Sequence, residues 1–364
     1  MKRVVILGAT GSIGRSARKV ARSLPDRMEI VGMSGHRDRE GLDAAAAEFP
    51  RARIVCSAEP DGAQQLVELA TMPEADLVLV AIVGTEGLAP ALAAIEAGKD
   101  IAVASKEILV LAGEIVMEAA RRRGVRVLPI DSEHNAIFQC LEGRNPAHVR
   151  RLVLTCSGGP FRTTPAADLA QVTPDQALRH PTWSMGRKIS IDSATLFNKA
   201  LEMIEARWLF DVEMERIDVV IHPQSTIHSM VEFVDGSMLA QLSRSDMCFP
   251  IQYAVTWPER VRGDLAPLDL AALGRLDFEA PREDAFPALR LARMAVQAGG
   301  TMPGVLNAAN EVAVEAFLAG KIPFPRIADV VEQCMRSHPV VEHPDLDALL
   351  AADAEARAFA SEVL

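Results

Sequence analysis

Residues 179–205, RHPTWSMGRKISIDSATLFNKALEMIE, hold the densest set of side chains with chemistry to offer. Leu196, Phe197, Ala200, Leu201, Met203 and Ile204 recur at helical spacing. That spacing leaves Asn198, Glu202 and Glu205 on one stripe at i, i+4 and i+7, with Lys199 beside it. The helix middle, with Lys199 and Glu202, is a candidate to hold a phosphate contact and a metal-ligand oxygen. Asp192 and Ser193 are good N-cap residues, so a helix is expected to open at Ala194 with backbone N–H groups free for an anion. Ahead of it, His180, Pro181, Trp183, Met185 and Gly186 lack periodicity, which predicts a lid loop near residues 179–188. Taken alone, such a stripe reads first as the solvated face of an amphipathic helix.

Other clusters argue for chemistry. Asp131 and Glu133 stand two apart after an apolar run. In an extended segment they point the same way, and a hard divalent cation relieves their repulsion. The competing role is capping of a helix that starts near Asn135. Near the N-terminus, Gly8-Ala9-Thr10-Gly11-Ser12-Ile13-Gly14 follows a strand-like run and precedes a helical pattern. That is the context of a dinucleotide-binding turn, with the pyrophosphate at the helix N-terminus; a turn that binds nothing is the alternative. The second strand ends at Ser34-Gly35-His36-Arg37 with no acidic residue at its tip. His36 and Arg37 suit a ribose 2′-phosphate, hence NADPH over NADH; a solvated basic turn is the other reading, and Asp38 weighs slightly against the phosphate.

The elements that must position these groups are legible as alternation. Strands are expected over 2–7, 29–33, 53–56, 77–83, 100–104 and 126–130, with helices between them, which means a doubly wound, mostly parallel sheet of α/β class. A central α+β region with a small sheet follows, with strands near 151–155, 230–234 and 238–242 and a short helix led by Met247 and Pro250. One face of that sheet is a candidate oligomer interface. A Pro-dotted stretch reads as a linker, and helices are expected over 286–298, 304–318, 327–336 and 346–362. The division is 1–148 (cofactor domain), 149–257 (catalytic and dimerisation domain), 258–284 (linker) and 285–364 (helical domain). Asn307 and Asn310, inside an apolar helix, read as structural groups satisfying backbone.

The chain has 364 residues and a formal net charge of −11. That charge disfavours nucleic acid or an anionic membrane as the main partner, so an anionic substrate needs local cations or a metal. Five scattered cysteines with no CxxC pair argue for a reducing compartment and against a zinc or disulfide framework. No leader and no membrane-length apolar run is apparent, so the cytoplasm is expected.

The set GATGSIG at Gly8, ASKE at Ala104, PIDSEHNAIFQ at Pro129, SGGPFR at Ser157, the 179–205 block, IHPQSTIHS at Ile221 and LNAANE at Leu306 resembles the 1-deoxy-D-xylulose 5-phosphate reductoisomerase family, in order across almost the whole chain. The resemblance implies a homodimer that converts this small phosphorylated sugar, with NADPH, to 2-C-methyl-D-erythritol 4-phosphate in the non-mevalonate isoprenoid pathway. It implies one divalent metal (Mg, Mn or Co) on Asp131, Glu133 and Glu202. It assigns Ser157, Ser193, Asn198 and Lys199 to the phosphate and nearby oxygens, and His180 to the lid beside the phosphate. Trp183 and Met185 close over the substrate, and Ser132 and Lys106 touch it. Lys106, Glu133, His180 and Glu202 are the catalytic candidates, with Lys106 either assisting proton movement or neutralising charge. Thr10, Gly11, Ser12, Ile13, Gly35, His36, Arg37, Ser105, Glu107, Gly186 and Met247 are the cofactor candidates. Ser105, Gly35-His36-Arg37, Cys156 and 243–248 depart from the family's commoner residues. Two other readings stand beside it: another NADPH oxidoreductase acting on a phosphorylated polyol or semialdehyde, and a non-enzymatic NADP sensor.

Overall fold

Apolar runs that alternate with helical patterns should pair in parallel, and the first 130 residues do so. In the computed structural model, which describes residues 1–183 and 185–364, β1 (Lys2–Leu7), β2 (Met28–Gly35), β3 (Arg53–Cys56), β4 (Leu77–Val80), β5 (Asp100–Val103) and β6 (Val127–Pro129) form one sheet in the order β3-β2-β1-β4-β5-β6. All its pairs are parallel. Helices α1 (Ser12–Ser23), α2 (Arg39–Glu48), α3 (Gly62–Ala70), α4 (Leu88–Glu96), α5 (Lys106–Arg123) and α6 (Ser132–Leu141) follow the strands in turn. The strand order reverses direction at β1/β4, the switch point beside which doubly wound sheets bind ligands.

Contacts divide the chain into two compact units, the first comprising Met1–Ile108, Glu114–Gln139 and Asp246–Leu268. Its core joins Val4, Ile6, Met33, Leu77 and Leu79 of the sheet to Ile251, Ala254 and Val255. Those last three lie on a helix numbered ahead in the chain, α10 (Cys248–Thr256), which packs on α1.

Some edges moved from expectation. The strand expected over 77–83 stops at Val80 because the chain turns: Val83 is 77% exposed and Gly84 takes φ +78°. Helix α6 begins at Ser132, earlier than near Asn135, and the Asn135 N–H donates to the Asp131 carbonyl at 2.8 Å. Glu133 is therefore in a helical first turn, and the extended geometry proposed for Asp131 and Glu133 does not hold.

The second unit comprises Leu109–Gly113, Cys140–Ser245 and Asp269–Leu364. Its sheet holds β7 (Val149–Cys156), β8 (Ile217–Ile221), β9 (Ile227–Phe233) and β10 (Met238–Leu242) in the order β10-β9-β7-β8. β8 runs parallel to β7, and β9 is antiparallel to both β7 and β10. Strand β8 was not expected; its residues VVI form a short apolar run without alternation. Helices α7 (Pro174–Ala177), α8 (Arg187–Thr195), α9 (Phe197–Phe210), α11 (Leu270–Leu273), α12 (Ala288–Ala298), α13 (Met302–Leu318), α14 (Arg326–Ser337) and α15 (Leu346–Glu362) complete the unit. α13 is its pivot: it packs on α8, α12, α14 and α15, and is buried along nearly its whole length.

Candidate active site

In the first unit the Gly-rich turn is built as a cofactor turn must be. Gly8 takes φ +95°, and a Cβ there would sit 2.5 Å from the Ala81 carbonyl oxygen. A Cβ on Gly14 would lie 2.4 Å from the Gly8 oxygen, so the first turn of α1 rests directly on the loop. Gly11, the residue before α1, has its nearest such neighbour at 3.5 Å and leaves room at the helix N-terminus. Thr10, Gly11, Ser12 and Ile13 surround that N-terminus. The Ser34 hydroxyl accepts from Gly8 N–H at 3.1 Å and ties the turn to β2.

Gly35 ends β2, and His36 and Arg37 follow it exposed. His36 Nδ1 lies 3.0 Å from Ser57 Oγ. Asp38, which seemed to weigh against a phosphate here, is spent on structure: its carboxylate accepts from Gly41 N–H at 2.9 Å and caps α2. Ser105 precedes α5 and is buried, its hydroxyl donating to the Ile82 carbonyl. Glu107 is buried in the first turn of α5, and Met247 precedes α10 against the sheet core. Residues 81–83, read in the sequence as the end of a strand and given no site role, leave β4 beside the Gly8 turn.

Lys106 and Asp131 meet in this unit. Lys106, 6% exposed, places Nζ 2.7 Å from Asp131 Oδ2. Ser132 Oγ donates to Glu133 Oε2 at 2.5 Å. The ends of β5 and β6 thus present one ammonium and two carboxylates.

The second unit holds the phosphate candidates. The helix expected to open at Ala194 is two helices. α8 already runs through Asp192 and Ser193, so neither is an N-cap. Leu196 then takes φ +64°, and α9 opens at Phe197. The solvated-stripe reading also fails: Lys199, Glu202 and Glu205 are buried, with Glu202 at 0% exposure. Glu202 accepts from Asn198 Nδ2 at 2.5 Å and pairs with Lys199 Nζ.

The loop after β7 comes up to α8. A Cβ on Gly159, at φ +68°, would lie 2.8 Å from the Ser193 carbonyl oxygen, so only glycine permits the approach. Ser157 Oγ in this loop is 3.0 Å from His180 Nε2 and accepts from Gly159 N–H at 3.1 Å. His180 Nδ1 accepts from the N–H groups of Thr182 and Trp183 at 3.1 and 2.9 Å. In the neutral ring Nε2 therefore carries the proton and donates to Ser157, whose own hydroxyl proton stays available for an anion.

Trp183 and Met185 are half-buried, and Gly186 precedes α8. The expected lid segment 179–188 ends inside α8, and Ser184 within it lies outside the described residues. The Trp183 ring stands 6.3 Å from that of His228, a buried residue that the sequence reading quoted but gave no role. Asn307 and Asn310 differ from expectation in their partners: both donate to carboxylates, Glu311 and Asp192, instead of backbone.

Comparison with known proteins decides the family. Residues 4–113 match the family model described as 1-deoxy-D-xylulose 5-phosphate reductoisomerase, in two overlapping pieces, 4–66 and 59–113. Residues 127–210 and 242–359 match models of the same family's C-terminal domains. The chain belongs to the 1-deoxy-D-xylulose 5-phosphate reductoisomerase family. Similar reductoisomerases include that of Pseudomonas putida (strain W619), 52% identical over 100% of this chain and 98% of the relative. That of Symbiobacterium thermophilum is 54% identical over 99% and 98%. Among solved structures, the reductoisomerase of Zymomonas mobilis in complex with NADPH superposes with a TM-score of 0.93 at 44% identity, over 100% of this chain and 98% of that one. A reductoisomerase in complex with NADPH, fosmidomycin and magnesium gives 0.94 at 41% over the same shares. The fold is thus the reductoisomerase fold, and the chain is an enzyme of that family.

Proposed function

We propose a division of labour among this chain's residues for the reaction of its family: NADPH- and divalent-metal-dependent conversion of 1-deoxy-D-xylulose 5-phosphate to 2-C-methyl-D-erythritol 4-phosphate in isoprenoid biosynthesis. The observation that carries it is the second unit's polar set, in which half-buried His180 bonds buried Ser157, and buried Lys199 and half-buried Asn198 bond a fully buried Glu202. A buried ion pair of this kind adds little net stability over an apolar core, which is the pattern of a site kept for its chemistry.

Asp131, Glu133 and Glu202 are the proposed metal ligands. All three are hard carboxylate oxygen donors, and a lysine already balances the charge of Asp131 and of Glu202. That donor chemistry fits Mg, Mn or Co. The open N-terminus of α1 fits a dinucleotide pyrophosphate. The chemistry supplied by the bound groups is Lewis acidity from the cation and a hydride from the nicotinamide.

This chain's residues supply the rest. Ser157, Ser193, Asn198 and Lys199 hold the remote phosphate, and His180 keeps the Ser157 hydroxyl oriented to donate. Trp183 and Met185 cover the substrate and exclude water, so that fragments of the broken carbon skeleton stay in place. Lys106 neutralises charge beside Asp131, and Ser132 contacts the substrate. Thr10 to Ile13, Ser105, Glu107, Gly186 and Met247 contact NADPH, with Gly35, His36 and Arg37 at its 2′-phosphate. The functional segments 1–148, 149–257 and 285–364, a homodimeric state and a cytoplasmic location belong to the same proposal. No described helix is long and apolar enough to cross a membrane. The exposed apolar residues Met238 and Leu239 of β10 support a contact between copies, which light scattering checks.

The deciding assay follows NADPH absorbance with 1-deoxy-D-xylulose 5-phosphate, with and without Mg or Mn. Metal-dependent decay with the branched polyol phosphate as product is the expected result. Absence of decay in protein that binds NADPH would overturn the assignment.

A further inference from the structure

The LNAANE segment of α13 has no part in the chemistry described above, yet it touches the helix that carries Ser193. Asn310 has no exposed surface and donates from Nδ2 to Asp192 Oδ1 at 2.8 Å. Asp192, 1% exposed, accepts on its other oxygen, Oδ2, from Lys188 Nζ at 2.8 Å. Lys188 and Asp192 are one turn apart on α8, and Ser193 is the next residue. The Asn310 carbonyl oxygen finds no hydrogen-bond partner among the described residues. A buried amide with one end unsatisfied is a poor way to fill a core, where leucine would pack without that cost. Its use is therefore the one bond it makes.

We propose that Asn310 is a positioning residue for the substrate's phosphate. Resting on the reading of Ser193 as a phosphate contact, the inference is that Asn310 holds Asp192, and Asp192 holds Lys188. This fixes the roll and slide of α8, so that Ser193 faces the Ser157 loop, which already approaches it at Gly159. A helix free to roll by a fraction of a turn would carry the Ser193 hydroxyl off its target, and small misplacements of a positioning group cost rate or affinity steeply.

The test is steady-state kinetics of the full-length enzyme with NADPH and Mg. Asn310→Leu is expected to raise KM for the phosphorylated sugar about tenfold with kcat within about threefold, because a lost ground-state contact appears in KM. The dissociation constant for NADPH should stay at the wild-type value. Inorganic phosphate, used as a competing probe, should inhibit the variant less strongly. Lys188→Met, at a partly exposed position that tolerates change, should shift KM the same way by about threefold, and it serves if Asn310→Leu does not fold. Ser193→Ala is measured alongside. If Ser193→Ala raises KM and neither Asn310→Leu nor Lys188→Met does, Asn310 is a packing residue only and the inference is overturned. If Ser193→Ala leaves KM unchanged, the phosphate reading of Ser193 fails and takes the inference with it.

Discussion

Glu202 is a carboxylate with no exposed surface, hydrogen-bonded by Asn198 and paired with Lys199. Its environment makes two variants informative. Glu202→Gln keeps the shape and removes the charge. Metal-dependent turnover should fall by at least about a hundredfold, as expected for loss of a ligand to a catalytic cation, while NADPH titration by fluorescence stays at the wild-type affinity. Near-normal turnover would remove Glu202 from the metal site. Lys199→Ala removes the cation instead. It should raise KM for the phosphorylated sugar, and it should also destabilise the protein by about 3–5 kcal/mol in urea titrations without ligand, since a buried carboxylate is left with less compensation. An unchanged KM with lowered stability would make Lys199 a structural counter-ion and nothing more.

At the level of elements, β9 shows how a strand can carry a pH dependence. Glu232 projects from it and takes Arg150 and Arg151 at 2.8 and 2.6 Å. The hydrogen bond from Arg151 holds the Glu232 carboxyl below the usual value of 4.5. A carboxyl with a depressed native pKa adds stability that is complete above about pH 5 and is lost as pH falls through its native pKa. Glu232→Gln should therefore be less stable than wild type at pH 7, and denaturant midpoints of the two should converge on acidification below about pH 4.5. A constant gap would show that Glu232 acts through packing. Elements were also where the sequence was most and least legible. The parallel sheet was readable because buried strands such as LVLV are continuous apolar runs flanked by turns. The stop of α8 was not, because it falls on Leu196, a residue type with no breaking tendency; tertiary packing, not propensity, places it in the left-handed region. The same holds for Glu133, where a two-residue spacing suggested strand geometry and the helix had already begun at Ser132. The proposed site residues stand together in motifs along the chain, whereas the positions of His228 and Asn310 were not legible, since only folding brings them to Trp183 and Asp192.

At the scale of the whole molecule, a ligand that binds only the folded chain should register in its stability. NADPH at about a hundred times its dissociation constant adds about 2.7 kcal/mol to the native state by mass action. Calorimetric melting should accordingly rise on adding NADPH alone, and the rise should persist in Glu202→Gln. A rise that vanished in that variant would contradict a cofactor site that does not use Glu202. One local feature also bears on the whole. In a single unbroken helix Ser193 and Glu202, nine residues apart, would point about 180° away from each other, at 3.6 residues per turn. Leu196 abolishes that phase relation. It lets one stretch of chain aim a hydroxyl and a carboxylate independently, and its own side chain, 3% exposed, locks the setting. The joint works like a keyed coupling between two shafts, with register fixed by a single tooth. Chain length across it is thereby fixed: the joint consists of the single residue Leu196, and one residue added between Thr195 and Phe197 would make a different turn and re-aim α9, with Glu202 on it, relative to Ser193.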